Sequence, residues 1–108
     1  MIKKSFERHL YLQPETPVHK DLEGFFTEQV ALEIDVIIDV LNQSVLSEET
    51  LITLNEIHLR IQKAGFCMVL IKSNQTDILN YKNLVCIPTL QEAEDYIEME
   101  LIQRDLGI

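Results

Sequence analysis

Residues 35–41, Asp-Val-Ile-Ile-Asp-Val-Leu, are the strongest constraint on what this chain can fold into. Val36, Ile37, Ile38, Val40 and Leu41 form a β-branched, nearly unbroken apolar run, and such a run suits a strand covered on both faces. A strand of that kind needs layers above and below it, so the run predicts an α/β architecture with this strand inside the sheet. Six residues past Leu41, Ser47 stands where a helix N-cap belongs. Glu48 and Glu49 place negative charge in the first turn, where the helix dipole favours it.

The segment that follows has helical periodicity. Leu51, Leu54, Ile57, Ile61 and Ala64 share one side of a helix from Glu48 to about Ala64, and Gly65 is placed to end it. Burying the four larger side chains contributes on the order of 6–12 kcal/mol before chain entropy is subtracted. Gly65–Lys72 reads as the next buried strand, and the β-α-β order predicts a parallel pair.

The strand–turn–helix unit resembles the STAS domain, the fold of bacterial anti-sigma-factor antagonists and of sulfate-transporter tails. The family pattern is an apolar strand ending in an Asp-apolar pair, a turn, and Asp-Ser-Ser/Thr-Gly-Leu opening a helix. Laid on it without gaps, Asp39 and Val40 fill the strand end and Leu51 the helix leucine. Ser47 then falls on the motif aspartate, Glu48 on the serine that family members phosphorylate, Glu49 on the next residue and Thr50 on the glycine. The spacing is kept and the phosphorylatable group is not.

The resemblance covers residues 34–106 in element order, while the first 30 residues do not match the family's opening strands. It implies a partner-reading surface at Ser44, Val45, Leu46, Ser47, Glu48, Glu49 and Thr50, met by an anti-sigma kinase-like protein or another regulator. A carboxylate at Glu48 carries part of the charge of a phosphoserine, so the turn is expected to be fixed rather than switched. Some STAS domains bind nucleotides or lipids at this end of the sheet, which makes a small-ligand module the alternative.

Elsewhere the signals are weaker. Residues 1–13 mix charges with Phe6, Leu10, Tyr11 and Leu12, and read as one strand or an arm. Thr16-Pro17 is a candidate N-cap and first helical residue for a helix over about 17–31, with Leu22, Phe25, Phe26, Gln29 and Val30 along its apolar side. Residues 73–83 leave room for a single helical turn around residues 77–79. Leu84–Ile87 is a short strand stopped by Pro88, and Thr89 with Glu92 forms a capping box for a helix from about Leu90 to Leu106.

That last helix is apolar on two sides. Leu90, Ala93, Ile97 and Leu101 make one stripe, while Met99, Ile102 and Leu106 lie nearly opposite at 100° per residue. Either the N-terminal arm covers the second set, or it meets a partner or a second copy of the chain.

The 108 residues are expected to make one domain, with a mixed, mostly parallel sheet of about four strands and about four helices. A formal charge of −9 argues against nucleic acid and anionic membrane as partners. Cys67 and Cys86 sit in apolar runs without metal-ligand spacing, which predicts buried thiols in a cytoplasmic protein. His9, His19 and His58 lack nucleophile partners at suggestive spacing, and the chain has neither a zinc-hydrolase signature nor a glycine-rich phosphate loop. No catalytic residue, metal or cofactor is predicted. Asp35 and Asp39 share a strand face, with Asp39 expected to tether the following turn.

Overall fold

A computed structural model of the chain describes residues 1–28, 33–43, 45–73, 78, 81 and 83–107. Along the chain run β1 (Ile2–Ser5), β2 (His9–Gln13), α1 (Val18–Glu28), β3 (Asp35–Asp39), α2 (Glu48–Lys63), β4 (Met68–Ile71), β5 (Val85–Ile87) and α3 (Leu90–Asp105). The strands form one sheet in the order β1-β2-β3-β4-β5. β2 to β5 are parallel and β1 is antiparallel, so β3 lies in the middle, as its composition demanded.

Both faces of β3 are covered. Val36 and Ile38 point to the side where α1 and α2 pack, among Leu10, Leu12, Leu22, Phe26, Leu51, Leu54, Ile57 and Leu70. Ile37 points to the other side, where it meets Tyr11, Val69, Ile71, Ala93 and Ile97 beneath α3. The apolar run is therefore read by two cores at once.

Two expectations change. The sheet has five strands rather than about four, because residues 1–13 make two strands instead of one strand or an arm. Phe6 N–H donates to the His9 carbonyl at 2.9 Å, and the Phe6 and His9 rings stack with centroids 4.7 Å apart. Of the charges that blurred this region, Lys3 and Lys4 belong to β1, whose four residues are exposed, and Glu7 and Arg8 to the exposed turn after it; lysines on β1 suit an unpaired edge. Three helices appear among the described residues. The fourth, the single turn around residues 77–79, lies outside them except for Ile78, which is buried in the core under α1 and α2.

Helix ends follow local chemistry where it is strong. Ser47 Oγ accepts the Thr50 N–H at 3.1 Å, the N-cap predicted for α2. At the other end Gly65 takes φ +92°, its N–H donates to the Gln62 carbonyl, and the Phe66 N–H donates to that of Ile61. This is a complete Schellman closure, and it shortens β4 to begin at Met68 because Gly65 and Phe66 belong to the cap. Thr89 Oγ1 accepts the Glu92 N–H at 3.2 Å, while Glu92 takes the threonine hydroxyl proton at 3.0 Å.

Thr16 does not cap α1. The helix starts at Val18, and Thr16 Oγ1 instead accepts from Gln43 Nε2 at 3.1 Å. Residues 29–31, expected at the end of this helix, are outside the described residues. Ala64, expected on the buried stripe of α2, is its exposed C-cap. Leu41, expected in the buried run, lies past the strand end and is exposed.

Candidate interaction surface at the carboxyl ends of the strands

β3 ends at Asp39 and the chain turns over the carboxyl edge of the sheet before entering α2. Asp39 is the post that holds this turn. Its Oδ1 accepts the Leu41 N–H at 3.0 Å, as expected, and its Oδ2 accepts the Tyr11 hydroxyl proton. Burial, together with that hydrogen bond and the carboxylate charge, pushes the Tyr11 phenol up to about 12, so it stays protonated as a donor.

Within the predicted surface, Leu46 is buried and pins the loop, whereas Val45 is 71% exposed. Thr50 is buried, and its Oγ1 accepts the Ser47 hydroxyl proton at 2.9 Å. Ser47, Glu48 and Glu49 are exposed. Both acids are nevertheless held: Tyr81 donates its hydroxyl to Glu48 Oε1 at 2.8 Å, and His19 Nε2 lies 3.1 Å from Glu49 Oε2. The hydrogen bond to Glu48 raises the pKa of Tyr81 above 10.0. Ser44 lies outside the described residues.

Four attachments thus converge on the loop, from Tyr11, Thr16, His19 and Tyr81. Between the starts of α1 and α2 they leave a hollow of about 290 Å³, lined by Pro17, Val18, His19, Gln43, Leu46 and Ser47 among others. Ser47 is expected to act as a cap in measurements too: Ser47→Ala should lower stability by about 1 kcal/mol in a urea melt, while Ser47→Asp should retain most of it.

The structure does not bring the two halves of the predicted site together. α3 runs back along the sheet from β5, so that Arg104 near its end reaches Asp35 at the start of β3. Met99, Ile102 and Leu106 therefore face outward near the opposite end of the sheet from the turn. The N-terminal hairpin does not cover them. Its apolar side chains are spent on the two cores: Leu10 and Leu12 pack on the side of α1 and α2, and Tyr11 packs on the other side with Ile37, Ala93 and Ile97.

One cluster was missed from the sequence. Asp35 is 1% exposed, and its Oδ1 accepts the Cys67 N–H at 2.9 Å and Arg104 Nη2 at 2.7 Å. Arg104 also lies over the Phe66 ring, 5.5 Å from its centroid. Burial works to lower the Arg104 pKa, but the hydrogen bond and charge of Asp35 outweigh it and raise it. Burial, reinforced by Asp35, pushes the Cys67 thiol up to about 12, so it is not a nucleophile near neutrality. Both cysteines are half-buried, less enclosed than their apolar neighbours suggested. No local pattern links Asp35 to Arg104; only the same-face placement of Asp35 and Asp39 hinted at a polar role there.

His58 is a packed histidine on α2. Burial lowers its pKa below the ordinary 6.5, so the folded chain holds it neutral. The unfolded chain takes up that proton first as pH falls, and stability present above about 6.5 is lost as pH drops towards the folded value. Thermal melts between about pH 7.5 and 5 should show His58→Gln with a flatter pH dependence than the parent chain.

Among the described residues, no group of three or more His, Cys, Asp or Glu side chains could hold a metal ion. None of the described helices is long and apolar enough to cross a membrane. No protein-family model matches the chain, and no curated protein sequence matches it. The family resemblance therefore stands on the strand–turn–helix residues and the element order over residues 34–106.

Proposed function

We propose that this chain is a non-catalytic interaction module of the STAS type, meeting a regulatory protein through the turn at 44–50. A kinase-like anti-sigma protein is the partner that the resemblance suggests. One observation carries the reading: the central strand delivers to solvent a loop whose polar side chains are tied back on several sides while Val45 is left 71% exposed. An ordered apolar tip rimmed by acids is a surface suited to recognition without rearrangement. Glu48, at the position of the family's phosphoserine, is already bound by Tyr81, and the Ser47 hydroxyl is taken up by the cap. Such a loop presents one fixed state.

The test is co-purification from native cells followed by mass spectrometry, with the parent chain and Val45→Asp side by side. A regulatory protein should be recovered with the parent and fall at least about tenfold with the variant, as expected when a charge enters an apolar contact. Recovery of the chain alone would turn the reading towards a homodimer. Stoichiometric phosphate on Ser47 in the native protein would overturn the fixed turn. The hollow of about 290 Å³ beside the loop favours a second reading, a small-ligand module. Isothermal titration with nucleoside triphosphates separates the two, since micromolar binding belongs only to the ligand module.

A further inference from the structure

We infer that the outer face of α3 is a docking seam for a basic amphipathic helix of another protein, an inference that rests on reading the chain as an interaction module. Met99, Ile102 and Leu106 are 59%, 49% and 68% exposed, and they recur at i, i+3 and i+7. That is the anchor spacing by which one helix is read by another. Single exposed apolar side chains are ordinary on a protein surface, but three in line over two turns form a continuous strip.

Charge decides what can cover the strip. α3 carries Glu92, Glu94, Asp95, Glu98, Glu100 and Asp105 against Arg104 alone. Glu92, Asp95, Glu98 and Asp105 are exposed. By the helical count, Glu98 and Asp105 border the strip on one side, and Asp95 and Glu92 extend it towards the helix start. Arg104 does not neutralise this border, because its guanidinium is turned inward onto Asp35 at 2.7 Å.

A second copy is a poor occupant. A two-fold contact sets like surfaces against each other, so acid border would meet acid border, with a formal charge of −9 on each chain. Anionic lipid is repelled in the same way. A helix with leucine-like side chains on one face and lysine or arginine beside them satisfies both the apolar strip and its border. Three side chains make a small contact, so affinity in the range of tens of micromolar is expected, with strong dependence on salt.

The probe is a synthetic helical peptide of about five turns, with leucines at i, i+3 and i+7 and lysines beside them, titrated into the full chain by isothermal calorimetry. One control peptide is scrambled so that the leucines no longer share a face; another replaces the lysines by glutamates. The lead peptide should bind about tenfold or more tighter than either control, and raising salt from about 0.05 to 0.5 M should weaken it about tenfold. The double variant Met99→Ser/Ile102→Ser, altered only at exposed positions and unchanged in charge, should lose binding about tenfold. Val45→Asp should bind the peptide as the parent does, so failure at the turn and failure at α3 are read separately. Equal binding of the scrambled peptide, or unchanged binding by the serine variant, would overturn the inference. So would a dimer in sedimentation equilibrium that Ile102→Ser dissociates, which would assign the strip to a second copy.

Discussion

Arg104→Ala is expected to destabilise the fold by about 3 kcal/mol, although Arg104 stands in the last turn of the last helix and is itself part-exposed. The cost arises at the other partner. Asp35 is 1% exposed, and without the guanidinium at 2.7 Å it keeps only the Cys67 N–H to stabilise a buried charge. Removing one member of such a pair costs far more than the pair itself contributes, because the survivor is left desolvated. Arg104→Ala/Asp35→Leu should accordingly recover most of the loss. Urea denaturation of the parent, the single variant and the double variant measures this directly. A double variant as unstable as Arg104→Ala would show that the loss comes from packing of the guanidinium on Phe66 rather than from the orphaned carboxylate.

Ile38→Ala should be the more damaging core change, costing about 3–4 kcal/mol. Ile38 is fully buried in the middle strand, paired laterally with Leu12 of β2 and Leu70 of β4, and capped by helix side chains. Few neighbours can close the gap, since each belongs to a different element already held in place. For a domain of this size the midpoint of thermal unfolding should fall by roughly 15 °C. Leu41→Ala, three residues later in the same apolar run, should cost less than about 1 kcal/mol, because Leu41 is exposed beyond the strand. Circular dichroism melts of both variants test whether the run is read as buried only as far as Val40.

That contrast marks how far the sequence could be read. Val36 to Val40 announced a central strand because β-branched density reports burial on both faces whatever the neighbours are. Ser47, Gly65 and Thr89 announced helix boundaries because a cap is formed within three or four residues. The turn at 45–50 was legible for the same reason. Its four attachments were not, since Tyr11, Thr16, His19 and Tyr81 reach it from separate parts of the chain.

The N-terminal hairpin shows the opposite case. Lys3, Lys4, Glu7 and Arg8 obscure the alternation that would have marked two strands, and only pairing with β3 reveals why Leu10, Tyr11 and Leu12 are all buried. β2 has a core on each side of it, so it never shows the period-two pattern of a half-exposed strand. A helix apolar on two sides is likewise ambiguous until the fold states which side is spent. Here Ala93 and Ile97 are spent on the sheet, and Met99, Ile102 and Leu106 are not.

By itself the sequence determined the middle strand, the capped helix after it and the acidic last helix, because periodicity and capping act over one or two turns of chain. Tertiary structure alone decided the fifth strand, the separation of the two exposed surfaces, and the pairing of Asp35 with Arg104 across 69 residues. Those features depend on which surfaces are already covered when distant segments meet, and no short stretch of residues carries that information.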